Sequence, residues 1–351
     1  MRVLQFVPTF EPGAVGAHLQ QVRLLLEAKG VSTETYAEHI RPVLAGQAVP
    51  FRDYRPAPGD VLLYHMAIGS DVADFVRDQH APVVLDHHNI TPAHFWAGWE
   101  PPVVSAAAWA RNQLADLARD AAVGIAHSDY SRDELVALGC RRTAVVPILL
   151  DSGAFDRVTD EEAVDRLRHN GTVWLFVGRV APNKAHHDLV KAFAVYRRVY
   201  DPTARLRIVG ASSSEAYLEA IRRLVDALEL TGAVELTGAV TDAELAAHYR
   251  AADVFVCVSD HEGFCVPLLE AMRHGLPIVA YAATAVGQTL GSGGLVLAGK
   301  APSLVAAAVA RVQGDADLRA GLIDAGRRRL DDFALERTRK QYWAALGTVL
   351  A

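Results

Sequence analysis

Two short segments of the chain carry residue types that suit the binding of a phosphorylated ligand. The first, residues 259–271, reads Ser-Asp-His-Glu-Gly-Phe-Cys-Val-Pro-Leu-Leu-Glu-Ala and follows a strongly apolar run. Pro267 suits the first turn of a helix, so the backbone amides of residues 263–268 would point out of a helix N-terminus. Amides in that position bind phosphate and other anions. The segment therefore predicts an anion site at the carboxyl end of a strand.

Two carboxylates, Glu262 and Glu270, flank this predicted anion site. A carboxylate that faced a phosphate directly would repel it, because both groups are negative. We therefore expect each carboxylate to accept hydrogen bonds from neutral hydroxyls, such as those of a sugar or a ribose. The alternative interpretation is that Glu262 is a solvated loop acid and that Glu270 only complements the helix dipole.

The second segment, residues 176–184, reads Phe-Val-Gly-Arg-Val-Ala-Pro-Asn-Lys and also leads from a strand into a loop. Arg179 offers phosphate a two-pronged fork of donors, and Lys184 offers a compact positive charge. Together with the amides of residues 263–268, they would surround a diphosphate and stabilise its charge as it leaves. The alternative is that both are ordinary surface cations, but two such segments in one domain favour the phosphate interpretation.

The two segments together resemble a known family. Glu262 and Glu270 around Gly-Phe-x-x-Pro, downstream of Gly-Arg-x-x-x-x-Lys, are similar to the retaining nucleotide-sugar glycosyltransferases of the GT-B fold. The resemblance is to family 4 (glycosyl transferases group 1), to which bacterial polysaccharide and natural-product glycosyltransferases belong. It covers most of the chain, and its specific motifs lie within residues 176–283.

The resemblance implies a role for each motif position. Arg179 and Lys184 would hold the donor diphosphate, Glu262 would contact hydroxyls of the donor sugar, and Glu270 would bind the ribose. Arg179, Lys184 and Glu262, together with His88 of the N-terminal half, are the predicted catalytic residues. The predicted donor-binding set also includes Gly16, Gly178, Gly263, Phe264, Cys265 and Val266.

The N-terminal half contributes two features that the resemblance implies. A histidine at a strand end lies beside the donor sugar in the family, and we prefer His88 over His87 for that position. A glycine-rich loop approaches the donor, and residues 13–16 occupy its place. The chain departs from the family where Ala185 and Cys265 stand in place of a common glycine, and both replacements are small.

The arrangement of segments predicts the architecture. Strand-like and helix-like segments alternate along nearly all of the chain, which is typical of parallel α/β proteins. We expect an α/β fold of two doubly wound Rossmann-like domains facing across a cleft. Residues 1–150 would form the acceptor-side domain, residues 151–334 the linker and donor-binding domain, and residues 335–351 would pack back on the first domain. Two helix starts are predicted from capping-box pairs: Ser131 with Glu134, and Thr241 with Glu244.

The composition excludes several classes of protein. Of 351 residues, 51% are hydrophobic, which excludes wholesale disorder and provides for two cores. The formal net charge of −6 disfavours a nucleic-acid binder. Three cysteines are too few for a disulfide framework or a zinc cluster. The fourteen histidines include no His-Glu-x-x-His run, so we expect no metal site.

The remaining expectations concern location and function. No apolar run approaches the ~18 residues that span a bilayer, and the N-terminal segment lacks the features of a signal peptide, so we expect a soluble, cytoplasmic protein. The resemblance implies a retaining, metal-independent hexosyltransferase that uses a UDP- or GDP-sugar as co-substrate and needs no other cofactor. Its acceptor would be a saccharide, glycolipid or other small molecule. Peripheral membrane contact and a homodimer stay open.

Two other functions remain as alternatives. A nucleotide-sugar epimerase or hydrolase would use the same donor-binding residues with an acid or base from the N-terminal domain, such as Glu11 or Asp86. A non-catalytic subunit would bind the nucleotide sugar without turnover. The presence of all four motif side chains in residues 176–271 disfavours the non-catalytic subunit.

Overall fold

A computed structural model describes residues 1–151, 153 and 160–350. The chain divides into two compact units. Unit 1 comprises Met1–Ala97, Pro101–Asp151 and Phe333–Ala351, and unit 2 comprises Gly98–Glu100 and Ser152–Asp332. Each unit is built on one parallel sheet with its own apolar core.

Unit 1 contains a sheet of seven strands in the order β3-β2-β1-β4-β5-β6-β7. The order reverses direction between β1 and β4, and ligands bind at such a switch point in doubly wound sheets. The strands are β1 (Arg2–Phe10), β2 (Thr35–Ile40), β3 (Val49–Pro50), β4 (Asp60–Met66), β5 (Val83–His87), β6 (Val123–Ala126) and β7 (Thr143–Val145). The helices between them are α1 (Ala14–Ala28), α2 (Asp71–Arg77), α3 (Pro101–Asp120) and α4 (Asp129–Ala137).

Unit 2 contains a sheet of six strands in the order β10-β9-β8-β11-β12-β13, with the switch point between β8 and β11. The strands are β8 (Val173–Val177), β9 (Arg205–Val209), β10 (Val234–Gly238), β11 (Val254–Cys257), β12 (Ile278–Tyr281) and β13 (Leu295–Leu297). The helices are α5 (Glu161–Leu167), α6 (His186–Val199), α7 (Glu215–Ala227), α8 (Asp242–Arg250), α9 (Val266–Arg273), α10 (Val286–Leu290), α11 (Pro302–Gly314) and α12 (Ala316–Leu330). The predicted α/β class with two doubly wound Rossmann-like domains is confirmed.

The last helix, α13 (Leu335–Leu350), belongs to unit 1. Its apolar stripe places Tyr342 and Leu346 fully inside a core that also contains Val22 of α1 and Leu63 of β4. Burial of one such side chain contributes roughly 1.5–3 kcal/mol, so a helix distant in sequence is held firmly on this sheet.

The two predicted helix starts differ in outcome. Thr241 and Glu244 form the predicted capping box at the start of α8. The pair Ser131 and Glu134 is wrong, because α4 begins two residues earlier and Ser128 is its N-cap, accepting a hydrogen bond from the Ser131 amide at 3.2 Å. The Glu134 side chain is therefore not used in a capping box and instead contacts residues distant in sequence.

Glu134 joins α4 to the sheet and to α3. Its Oε2 lies 2.8 Å from His87 Nε2 at the end of β5, and Arg111 Nη1 donates to its Oε1 at 2.6 Å. Burial alone would raise the pKa of this carboxyl, but the interactions with His87 and Arg111 outweigh it and lower the pKa to about 2. The ionised form of Glu134 therefore stabilises unit 1.

We expect Glu134→Gln to remove a pH-dependent part of the stability. Because the folded pKa is lowered, the contribution is present above the unfolded pKa near 4.5 and is lost as the pH falls toward 2. It amounts to at most about 3 kcal/mol. Urea unfolding between pH 7 and pH 3 should show the wild-type advantage shrinking with acidification. Glu336→Gln, at an exposed position of α13, is the control, and an equal pH profile for the two variants would contradict the assignment.

Candidate functional site

The two predicted motif segments meet at the switch point of unit 2. Residues 178–184 follow β8, and residues 258–265 follow the neighbouring strand β11. Asn183 connects the two loops through two hydrogen bonds. Its backbone carbonyl accepts a hydrogen bond from the Asp260 amide at 2.9 Å, and its side-chain amide donates one to the His261 carbonyl at 3.1 Å. The sequence reasoning did not single out Asn183, although it lies within the segment.

Lys184 and Glu262 form an ion pair at this junction. Lys184 Nζ lies 2.6 Å from Glu262 Oε2, and the two side chains are 21% and 9% exposed. Burial alone would lower the pKa of the Lys184 ammonium, but the adjacent Glu262 carboxylate outweighs it and raises the pKa. Lys184 therefore stays positive at neutral pH, and each partner compensates the charge of the other.

The backbone of Glu262 is anchored by the loop that follows β12. Thr284 Oγ1 accepts from the Glu262 amide and donates to the Glu262 carbonyl, both at 2.8 Å. The Ala285 amide also donates to that carbonyl, at 3.3 Å. Sequence reasoning missed Thr284, because a lone threonine after a short strand carries no recognisable pattern.

The helix α9 begins with Pro267 in its first turn, as the motif predicts. Cys265 occupies the cap position with φ 73°, and its side chain makes no capping hydrogen bond. Val266 and Pro267 begin the helix, so amides of the first turn point outward, as in anion-binding helix ends. The positive φ explains why the resembled family favours glycine at the Cys265 position.

The Cys265 thiol is not poised for nucleophilic chemistry. A hydrogen bond with Cys257 and burial hold the pKa of this thiol well above its usual range. The thiol therefore stays protonated at neutral pH, whereas nucleophilic attack requires the thiolate. Phe264 beside it is also buried, and Gly263 is half-buried.

Glu270 lies one turn into α9 and has a partner from α8. Tyr249 Oη donates to Glu270 Oε2 at 2.5 Å. Burial raises the pKa of the Glu270 carboxyl, although the hydrogen bond from Tyr249 opposes that shift. Sequence reasoning missed Tyr249, which lies 21 residues before Glu270.

Arg179 differs from Lys184 in being exposed and unpaired among the described carboxylates. It follows Gly178, whose φ is 150°. A Cβ at Gly210 would lie 2.3 Å from the Gly178 carbonyl, so the ends of β8 and β9 approach too closely for a side chain there. The backbone at Gly178 is thereby fixed, while the guanidinium of Arg179 is available to a ligand.

A further cation, Lys300, was not predicted. Its Nζ lies 2.7 Å from Asp188 Oδ2 and 2.6 Å from Asp260 Oδ1. This bridge ties the loop after β13 to α6 and to the loop that carries Glu262. The sequence feature that could have indicated Lys300 is its position shortly after the end of strand β13.

In unit 1, Gly16 lies in the first turn of α1, within the predicted glycine-rich loop. A Cβ at Gly16 would lie 2.0 Å from the backbone carbonyl oxygen of Glu11. No side chain can be accommodated there without moving the backbone. The glycine is therefore required by the packing of the loop against α1.

His87 and His88 have different environments. His87 Nε2 is bound to Glu134. The His88 ring is 2% exposed, with Nε2 3.2 Å from His65 Nδ1 and Nδ1 3.2 Å from His127 Nε2. The structure therefore places the His88 imidazole inside a histidine cluster and leaves neither ring nitrogen without a neighbour.

Asp86, the proposed acid or base of the alternative enzyme, lies at the centre of the same cluster. Its Oδ2 accepts from Tyr342 Oη at 2.6 Å and from His18 Nε2 at 2.9 Å. Burial would raise the pKa of this carboxyl, but His127, His18 and His88 hold it well below its usual range. Asp86 is a buried carboxylate with fixed partners, which is a poor general acid.

Comparison with known proteins bears on both units. Residues 158–329 match the family model described as "Glycosyl transferases group 1". The D-inositol 3-phosphate glycosyltransferase of Geodermatophilus obscurus is 37% identical over 213 residues, covering 56% of this chain and 45% of the relative. The D-inositol 3-phosphate glycosyltransferase 2 of Catenulispora acidiphila is 32% identical over 246 residues, covering 65% of this chain and 54% of the relative. The matches thus span about half of each relative's length.

Solved structures resemble the chain over nearly its whole length. Anabaena Alr3699/HepE in complex with UDP and glucose has a TM-score of 0.78 at 18% identity and covers 99% of this chain and 100% of its own. Sucrose-phosphate synthase from Thermosynechococcus elongatus has a TM-score of 0.78 at 18% identity and covers 99% of both chains. At this identity the likeness is one of fold. The solved structures thus support the predicted GT-B fold.

Residues 158–329, which match the family model, include both motif segments of the donor-binding prediction. Among the described helices, none combines the length and the apolar composition that crossing a membrane requires.

We expect Gly16→Ala to destabilise unit 1 by about 1–3 kcal/mol, because the added methyl group overlaps the Glu11 carbonyl. Gly347→Ala in α13 is the matched control. Its Cβ meets no heavy atom within 4 Å, and alanine favours a helix by about 0.5–1 kcal/mol. Urea unfolding of both variants measures the difference, and a Gly16→Ala protein as stable as Gly347→Ala would refute the steric argument.

Proposed function

We propose that this chain is a retaining glycosyltransferase that moves a hexose from a UDP- or GDP-sugar to a saccharide, glycolipid or other small-molecule acceptor. The observation that carries the proposal is the Lys184–Glu262 ion pair, held at the N-terminus of α9. The Lys184 ammonium, the Glu262 carboxylate and the first-turn amides of α9 thereby lie at one edge of the sheet. The carboxylate can accept hydrogen bonds from the hydroxyls of a sugar. This combination suits a sugar diphosphate.

The diphosphate would be bound by Arg179, Lys184 and the first-turn amides of α9. Charge develops on the leaving phosphate as its bond to the sugar breaks, and fixed positive groups stabilise that charge without reorganisation. Cations and amides would thus replace the divalent ion that many nucleotide enzymes use. Lys184 is already held in place by Glu262, which reduces the cost of ordering a flexible side chain.

Glu262 would orient the donor sugar by accepting hydrogen bonds from its hydroxyls. In the transfer, the bond between the anomeric carbon and the phosphate oxygen breaks, and a bond to the acceptor oxygen forms on the same face. The leaving phosphate takes the acceptor proton, so that no separate pair of catalytic carboxylates is needed. His88 and Gly16, both in unit 1, remain the predicted contributors beside the donor sugar.

The neighbours suggest which ligands to test first. Alr3699/HepE was solved with UDP and with UDP-glucose, which supports uracil as the first donor base to test. Several relatives are named D-inositol 3-phosphate glycosyltransferases, so that phosphorylated cyclitol belongs in the acceptor set. Glu270 would hold the ribose, with Tyr249 orienting its carboxylate.

A thermal-shift panel of nucleoside diphosphates and nucleotide sugars tests donor binding, since a ligand of the folded state raises the melting temperature. Product analysis with and without acceptors then separates the functions. Donor consumption without an acceptor would indicate an epimerase or hydrolase, and binding without turnover would indicate a non-catalytic subunit. Light scattering and vesicle sedimentation test the homodimer and the membrane contact.

We expect Arg179→Ala to lower turnover by about 100-fold or more, as for the loss of other groups that stabilise developing charge. Arg179 is exposed, so the folded state should be unaffected. Arg198→Ala, which removes another exposed arginine of unit 2, should keep wild-type turnover. Steady-state rates with a confirmed donor decide the matter, and equal rates for both variants would refute the diphosphate assignment.

Glu270→Ala should weaken UDP binding more than Glu262→Ala does, because only Glu270 is assigned to the ribose. Isothermal titration calorimetry with UDP measures the order, and the reverse order would overturn the assignment. Tyr249→Phe removes the hydrogen bond to Glu270 while keeping the carboxylate. Because Tyr249 only orients that carboxylate, UDP affinity should fall less in Tyr249→Phe than in Glu270→Ala.

A further inference from the structure

A row of polar side chains continues the apolar face of the unit 1 sheet. Val3, Leu63, Val84 and Ile125 pack in the core beneath α1 and α13. Two residues further along, on the same face, stand Gln5, His65 and Asp86 of the first three strands and His127, which directly follows β6. All four of these polar side chains are buried.

Three side chains of this cluster have the spacing of metal ligands. His65 Nδ1 lies 3.2 Å from His88 Nε2, and the Asp86 carboxylate lies between them, with Oδ2 3.4 Å from His65 Nδ1 and Oδ1 3.9 Å from His88 Nε2. A tetrahedral zinc ion with bonds near 2.0–2.1 Å has neighbouring ligands about 3.3 Å apart. Only small shifts would therefore bring the three groups around one ion.

The outer ring nitrogens are engaged as those of metal-binding histidines are. His65 Nε2 lies 3.0 Å from Gln5 Oε1, which leaves the lone pair of His65 Nδ1 facing the cluster. His88 Nδ1 lies 3.2 Å from His127 Nε2, and His127 Nδ1 lies 2.9 Å from the Val146 carbonyl. Such outer partners fix the tautomer and orientation of ligating imidazoles.

Asp86 presents one oxygen to the same point. Its Oδ2 is taken by His18 and Tyr342. Its Oδ1 receives no hydrogen bond of ordinary geometry from the residues described, although His127 Nε2 stands 3.1 Å away. His18 is not a ligand, because its Nδ1 accepts from the Leu149 amide at 2.9 Å and its Nε2 must then carry the hydrogen.

We propose that His65 Nδ1, His88 Nε2 and Asp86 Oδ1 bind one zinc ion in unit 1, with Gln5, His127, His18 and Tyr342 as their supporting partners. Two imidazoles and one carboxylate form a known zinc ligand set, in which a water completes the coordination. The ion would join the ends of β4 and β5 beneath α13. The diphosphate-binding groups proposed above belong to unit 2 and do not depend on this ion, whereas ligation of zinc by His88 would replace the role predicted for His88 beside the donor sugar.

A second group of donors competes for the same ion. Cys257, Glu262 and Cys265 of unit 2 also have ligand atoms within 4.8 Å of one another. A cation there would have to displace Lys184, whose ammonium lies 2.6 Å from Glu262. Among the residues described, no lysine or arginine pairs with Asp86 in the unit 1 cluster, and thiolate ligation gives the competing site a distinct spectrum.

The test uses the full chain, stripped with a chelator and supplied with one equivalent of Zn²⁺ or Co²⁺. After desalting, we expect one ion per chain by mass spectrometry. The Co²⁺ form should show visible bands of a nitrogen and oxygen site without thiolate-to-cobalt charge transfer. A folded wild-type chain that retains no ion, or a thiolate band lost in Cys257→Ser, would overturn the proposal.

Matched variants locate the ion. His65→Gln should lower the Zn²⁺ affinity by at least about 100-fold, and Gln5→Leu by about 10–100-fold, because it removes only an outer partner. His186→Gln replaces a fully buried histidine of unit 2 and should bind Zn²⁺ as the wild type does. Competition with a chromophoric chelator gives the affinities, and circular dichroism reports folding. Unchanged affinity in His65→Gln, or in Gln5→Leu if His65→Gln does not fold, would refute the site.

Discussion

Unit 1 is organised around one buried charge. The Asp86 carboxylate is fully enclosed on strand β5, and an ionised carboxylate is costly to bury unless it is paired and hydrogen-bonded. Its partners come from separate elements: His18 from α1, Tyr342 from α13 and His127 from the residue after β6. Satisfying this single group therefore fixes the positions of both helices that cover one face of the sheet.

Unit 2 uses a paired charge differently. Lys184 and Glu262 compensate each other, yet the lysine side chain keeps 21% of its surface exposed. The pair lies where Asn183 connects the loops that follow β8 and β11. Thr284 connects the second of these loops to the loop that follows β12. Such a pair is stable without a ligand and still accessible to one, whereas the Asp86 cluster is closed. This contrast suits unit 2 for binding a charged substrate and unit 1 for holding its own elements in place.

The secondary structure was predictable wherever the pattern was local and strong. Val173–Val177 and Arg205–Val209 are continuous apolar or alternating runs, and both strands have the bounds that their patterns indicate. The strand Thr35–Ile40 carries no comparable pattern, because only its first three residues are buried, and its pairing with β1 makes it part of the sheet. Ser131 was mistaken for a cap because Ser128, three residues earlier, competes for the same role.

By itself, the sequence determined the alternation of strands and helices, the helix start at Cys265 and the two motif segments, because periodicity and capping depend on residues a few positions apart. Only the tertiary structure decided which side chains contact one another. Lys184 meets Glu262 across 78 residues, and Asp86 meets Tyr342 across 256. The order of strands in the sheet brings such residues together, and no local pattern encodes that order. The histidine cluster shows the same limit, since its members become one group only when four parallel strands are placed side by side.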